Sequence, residues 1–221
     1  MEDKSVCQLV RDPENVQRLF IHLEDGTIVG PYLVMSVERI GLRIGNVCDE
    51  RVQELLRIED ATHQAIEDAV VYVKRKARTE AEVLQFLVKQ KNYTPTIALE
   101  ALAWLRKYQA INDGELISTT VSAAQKTVNT PSKMALTAKL LRRGVTKDQI
   151  IKALQVSEYD EFRGALQAGR KKLEQIERKL EHEELPPEER ERKLKTILGA
   201  FLGRKGYSAS TIHKVFDQLL G

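Results

Sequence analysis

The chain has 221 residues, 42% hydrophobic and 30% charged, with a formal net charge of +3. That is enough for one large or two small domains with a real core. No run approaches the ~18 apolar residues of a membrane helix, residues 1–15 lack the basic-then-apolar order of a secretory signal, and two cysteines cannot make a disulfide framework, so a cytoplasmic location is expected.

Residues 1–60 alternate rather than cycle. Leu19, Ile21 and Leu23 are interleaved with Phe20 and His22, and Asp25-Gly26 follows before a second β-rich run. Asp-Gly between such runs predicts a β-hairpin, because glycine accepts the positive φ of the turn. Pro31 cannot donate to a ladder, so the second strand should be an edge or be interrupted there. Ser36 is the expected cap of a short helix, and Asp49 of the next, with Val52, Leu55 and Leu56 on one face.

From residue 61 the helical period holds. Ile66, Ala69, Val70 and Val73 form a stripe. Thr79 and Glu82 have the spacing of a capping box, and Thr94-Pro95 opens a further helix with proline in its first turn. A pattern then recurs: an apolar pair, a basic or polar turn, a cap, and an apolar residue four positions after the cap. It reads "LVKQKNYTPTIALEAL" (87–102), "LLRRGVTKDQIIKAL" (140–154) and "FLGRKGYSASTIHKVF" (201–216), with caps Thr94, Thr146 and Ser208 spaced by 52 and then 62 residues.

The reading is a mostly α protein: an elongated array of three tandem three-helix repeats with a small N-terminal β-hairpin and helix extension. The expected boundaries are 1–60 for the extension, then 61–112, 113–156 and 157–221, the last carrying a charged insertion around Pro186-Pro187. At roughly 25 cal/mol per Å² of buried apolar area, one such unit hardly offsets its ordering entropy. Adjacent units should therefore pack on each other.

No catalytic constellation is legible. His22, His63, His182 and His213 lack metal-ligand spacing, no glycine-rich phosphate loop is present, and neither cysteine has a basic neighbour in sequence. The acidic stretch "EHEELPPEERE" reads as a solvated helix face. A non-enzymatic chain without metal or cofactor is the expectation.

Charge is the remaining signal. Residues 1–60 hold 7 basic and 12 acidic side chains, and residues 61–156 hold 15 and 8. A basic middle points to a polyanionic or acidic partner. The candidates for a basic strip are Lys74, Arg75, Lys76 and Arg78; Lys89 and Lys91; Arg106 and Lys107; Lys139, Arg142 and Arg143; and Arg204 and Lys205. They occupy turns or helix ends, where a cation also complements the helix dipole. Arg142 and Arg143 are the pair left without a structural duty. The first residues of the third helices ("PTIA", "KDQI", "ASTI") are short and mostly uncharged, which favours phosphate contact over base reading. Trp104 and Tyr108, four residues apart, read as packing against a neighbouring helix rather than as a stacking platform.

The chain resembles the RecX family of bacterial recombinase regulators. The residues that carry the resemblance are "YVKRKARTEAEVLQFLVKQKNYT" (72–94), "LRRGVTKDQI" (141–150) and "LGRKGYSASTI" (202–212). Arg78-Thr79 with Glu82-Val83 is similar to the family's R-[ST]-x-x-E-[LV] signature. "HLEDGTIVGPYLV" with "LRIGNVCDE" is similar to the β-hairpin extension of a subset of the family. The resemblance implies a monomeric modulator of RecA that binds the RecA nucleoprotein filament, with DNA phosphates as further contacts and no membrane. Its setting would be recombination, DNA repair and the SOS response. The competing readings are a helical repeat protein that binds nucleic acid directly, and a helical adaptor for an unrelated protein.

Overall fold

Three strands, not two, form the N-terminal sheet. The computed structural model describes residues 4–181, 184 and 186–221, and within it β1 (Val6–Arg11), β2 (Arg18–Leu23) and β3 (Ile28–Leu33) pair antiparallel in the order β1-β2-β3. The expected hairpin is β2–β3. Its loop is longer than a two-residue turn: the Gly26 N–H donates to the Leu23 carbonyl at 2.9 Å, and the Asp25 carboxylate accepts the Thr27 N–H at 3.0 Å. β3, with Pro31, is an edge strand as expected. Alternation buries Leu19, Ile21 and Leu23 against Val37, Cys48 and Leu56.

The short helix α1 (Val34–Ile40) starts two residues before the expected cap. Ser36 lies inside it, fully buried, and caps nothing. The first two entering amides are paired from elsewhere in the unit. The Leu33 N–H donates to the Asp60 carboxylate at 3.0 Å, and the Val34 N–H to the Gln17 carbonyl at 2.9 Å.

Asp49 does cap the next helix, accepting the Val52 N–H at 2.8 Å. That helix, α2 (Glu50–Arg75), runs through residues 60 and 61 without a break. Leu56 is fully buried, but Leu55 is 47% exposed rather than on the apolar face. Leu56 and Leu55 lie 100° apart on a helix, and only one can face the sheet.

Internal contacts divide the chain into two units, Met1–Ala77 with Val83–Ile111, and Arg78–Glu82 with Asn112–Gly221. In the first, Ala65 and Ala69 of α2 pack with Val83, Leu87, Ala98, Ala101, Leu102 and Leu105. These come from α3 (Glu80–Gln85), from the π-helical turn Phe86–Gln90 that prolongs it, and from α4 (Pro95–Lys107). The stripe Ile66, Val70 and Val73 packs on the same core.

The second unit contains α5 (Asp113–Lys126), α6 (Lys133–Arg142), α7 (Lys147–Val156), α8 (Phe162–Leu180), α9 (Pro187–Arg204) and α10 (Ala209–Leu219). It has two cores. Ile117, Val121, Leu136, Leu140 and Ile150 form one, and Ala165, Leu198, Leu202 and Val215 are in the other. The caps Thr94, Thr146 and Ser208 each accept an N–H three residues on, and Thr146 with Gln149 closes a full capping box.

Candidate functional site

The three echoed turns are one structure with a single insertion. After α6 and α9 the residue in the left-handed region is a glycine, Gly144 (φ 81°) and Gly206 (φ 83°); after the π-helical turn it is Asn92 (φ 60°). The closing bonds run from the Val145 N–H to the Leu140 carbonyl and from the Tyr207 N–H to the Leu202 carbonyl, each at 3.2 Å. In the first turn the Tyr93 N–H reaches one residue further, to the Leu87 carbonyl at 3.1 Å. The π-helical turn absorbs that extra residue, since its bonds span five residues instead of four.

Two of these turns are pinned in the same way, both inside the second unit. The Thr79 hydroxyl accepts the Glu82 N–H at 3.1 Å while donating to the Arg143 carbonyl at 2.5 Å. The Ser132 hydroxyl accepts the Ala135 N–H at 3.1 Å while donating to the Lys205 carbonyl at 2.7 Å. In each case the next amide is held by an acid: the Glu80 N–H by Asp113 at 2.9 Å, and the Lys133 N–H by Glu161 at 2.6 Å. The turn glycine presses on the helix it meets. A Cβ on Gly144 would collide with the Ala81 Cβ, and one on Gly206 would lie 2.5 Å from the Met134 Cε.

Arg143 therefore has a structural duty, against expectation. Its Nε and Nη2 donate to the two carboxylate oxygens of Glu82 at 3.0 and 2.8 Å, a bidentate fork over a half-buried pair. Burial alone would raise the Glu82 pKa. The Arg143 fork, the Thr79 N–H and the charge of Arg78 outweigh it and hold the carboxyl below its ordinary range. Glu82 thus completes the predicted capping box, accepting the Thr79 N–H at 2.8 Å, and carries the ion pair as well.

The acid at the other pin is more buried still. Glu161 is 2% exposed, and its carboxylate also accepts the Ser208 N–H at 2.9 Å and the Thr211 hydroxyl at 3.1 Å. One side chain thus holds the N-termini of α6 and α10. Tyr159 and Tyr207 lie in its field. Burial and the Glu161 charge push Tyr159 up to about 12.

The other expected basic residues fall into groups. Lys74, Arg75 and Lys76 are exposed at the end of α2, and Lys89 at the end of the π-helical turn. Lys91 is exposed but ion-paired with Asp68 at 2.8 Å, and its ammonium lies 5.9 Å from the Phe86 ring centroid. Arg106 and Lys107 occupy the last turn of α4. Arg78 is half-buried. Lys139, Arg142, Arg204 and Lys205 are exposed in the second unit. Trp104 packs on the first core as expected, but Tyr108 is 58% exposed and lies against Trp104 with ring centroids 4.4 Å apart. Of the four histidines, His182 lies outside the described residues, as do Glu183 and Leu185 of the acidic stretch. Sequence reading missed Glu161, and it missed Lys172, which stands over the ring of Phe201.

Among the described residues no cluster of His, Cys, Asp or Glu could hold a metal ion, and no helix is long and apolar enough to cross a membrane. What the structure builds is a helical protein whose polar side chains pin turns and whose exposed cations face solvent. No protein-family model matches the chain. It is 27% identical over 214 residues to the Regulatory protein RecX of Bacillus pumilus (strain SAFR-032), which covers 96% of this chain and 76% of that relative. The crystal structure of a regulatory protein RecX shares its fold with a TM-score of 0.73 at 19% identity, over 97% of this chain and 99% of the other. RecX from Lactobacillus salivarius aligns with a TM-score of 0.56 at 19% identity, over 72% of this chain and 97% of the other. The resemblance to RecX proteins carried by three short motifs thus extends along nearly the whole sequence, and the fold is theirs.

Proposed function

We propose that this chain is a regulator of the RecA recombinase that acts without chemistry of its own, by binding the RecA–DNA filament and restraining its activity in recombination and DNA repair. The observation that carries this reading is the similarity to a regulatory RecX protein over 96% of the chain. Three tandem helix triads behind the N-terminal sheet would be its binding body, acting as a monomer in the cytoplasm. Exposed cations at helix ends, Lys139 and Arg142 on α6 among them, suit a filament whose surface includes DNA phosphates.

The reading is tested by adding the chain to RecA on single-stranded DNA and following ATP hydrolysis. The rate should fall at sub-stoichiometric to near-stoichiometric amounts. An unchanged rate, with no co-sedimentation of the chain with filaments, sinks the proposal. Lys139→Ala with Arg142→Ala should weaken the effect while leaving the circular dichroism spectrum intact. Arg143→Ala is unsuitable for this purpose, because Arg143 holds Glu82.

A further inference from the structure

Apart from the inserted residue, the turn after the π-helical stretch and the turn after α9 place a lysine beside a phenylalanine ring in the same way, and a charged side chain from a neighbouring helix is reversed between them. In the first unit the Lys91 N–H donates to the Phe86 carbonyl at 3.1 Å, and the Lys91 ammonium lies 5.9 Å from the Phe86 ring. In the second the Lys205 N–H donates to the Phe201 carbonyl at 3.2 Å, with the Lys205 ammonium 5.3 Å from the Phe201 ring. The first helix of each triad supplies a third side chain. On α2 it is Asp68, three residues after the fully buried Ala65, and its carboxylate pairs with Lys91 at 2.8 Å. On α8 it is Lys172, three residues after the buried Gly169, and its ammonium lies 5.6 Å from the same Phe201 ring.

An acid that neutralises the lysine in one unit is thus replaced by a second lysine in the other. Neither Lys172 nor Lys205 has an ion-pair partner among the described residues. Two ammoniums around one ring repel each other. The ring quadrupole attracts each of them and the apolar stems cover its edge, so both charges stay in place. Arg204, also exposed, precedes Lys205 directly. The carboxylate that completes this arrangement in the first unit is missing here, and an anion from outside can take its position.

We infer that Lys172, Phe201 and Lys205 form an anion site that receives a phosphate of a nucleic-acid backbone. The pairing of cations with a partly exposed aromatic ring favours nucleic acid over an acidic polypeptide, since a strand offers a phosphate to the ammoniums and a base face to the ring. The site does not depend on RecA and is tested without it. Its failure would leave the filament reading untouched.

The full chain is titrated against fluorescein-labelled oligothymidylate by anisotropy, at several salt concentrations. Lys172→Asp restores the arrangement of the first unit and should pair internally with Lys205. Binding should weaken roughly three- to tenfold, and the slope of log K against log salt should fall by about 0.7 for each phosphate released from a single strand. Lys205→Ala should act in the same direction. Asp68→Lys, the mirror change, should create a second such site and strengthen binding. Lys205 is exposed, whereas Lys172 and Asp68 are half-buried and Asp68 also accepts the Tyr93 hydroxyl at 2.9 Å, so circular dichroism and urea melts check that each variant folds before its binding is compared. The inference is overturned if Lys172→Asp and Lys205→Ala bind with wild-type affinity and slope. It is equally overturned if poly-glutamate binding, or stabilisation by inorganic phosphate, is lost in Lys172→Asp while the oligonucleotide is unaffected.

Discussion

Glu161 shows how much one buried residue can do at the scale of a single side chain. Its burial alone would lift its pKa. The backbone N–H groups of Lys133 and Ser208 and the hydroxyls of Ser208 and Thr211 outweigh that, so it titrates below its ordinary 4.5. A carboxyl whose folded pKa lies below its unfolded one gives its full stabilisation above about pH 4.5. That stabilisation is lost as the pH falls through the folded value. Glu161→Gln should lower stability at pH 7 by about 1–3 kcal/mol in urea melts, because the amide NH₂ turns a donor toward the Lys133 or Ser208 N–H. The variant should also lose part of the wild type's decline below pH 4.5; an identical acid profile would show that Glu161 does not hold the two helix ends. The two adjacent arginines should separate in the same melts. Arg143→Ala should cost about 1–2 kcal/mol, whereas Arg142→Ala should stay within about 0.5 kcal/mol, as an exposed side chain does. Their sequence neighbourhood is almost identical, and the difference comes from Glu82, 61 residues away. That distance is why the basic residues were legible as a class but not by duty.

At the scale of the element, the caps, the turn glycines and the helical stripes were legible because each is a local rule. Thr79, Thr94, Thr146 and Ser208 all accept the bonds their spacing predicts. Elements set by distant partners were not legible. β1 is recruited by pairing along β2, and α1 begins where Asp60 and Gln17 satisfy its amides. The π-helical turn hid in plain sight, as one extra residue between Phe86 and Thr94. Lys172 was not legible because it lies inside α8 and only the packing of α8 on α9 brings its ammonium over the Phe201 ring. Gly144 belongs to both the local and the distant class. Its φ of 81° is readable from the turn, but its contact with Ala81 is not. Gly144→Ala should therefore cost about 1–2 kcal/mol for the left-handed backbone, plus a steric term. Adding Ala81→Gly should return the steric part, apart from the propensity cost of about 1 kcal/mol for a helical glycine. If the double variant is no better than the sum of the singles, the close approach does not contribute.

At the scale of the whole molecule, the two pins meet on one helix. α6 has ten residues, about 15 Å of rise, with Ser132 and Lys133 held by Lys205 and Glu161 at its start. At its end, Arg143 and its carbonyl are held by Glu82 and Thr79. The same hydroxyl-to-carbonyl bond is used at both ends, so α6 receives from one side what it gives on the other. Within the second unit the helix is thus held at both ends by partners far away in sequence. The pins share no partner and lie farther apart than the ~7–10 Å within which substitutions couple directly. Glu82→Gln and Glu161→Gln should then add in the double variant to within about 0.5 kcal/mol, measured as urea midpoints with unchanged slope. A double variant much worse than the sum would mean that the pins are redundant, either one alone keeping α6 in place. A double variant no worse than the weaker single would mean that one pin holds only when the other is closed.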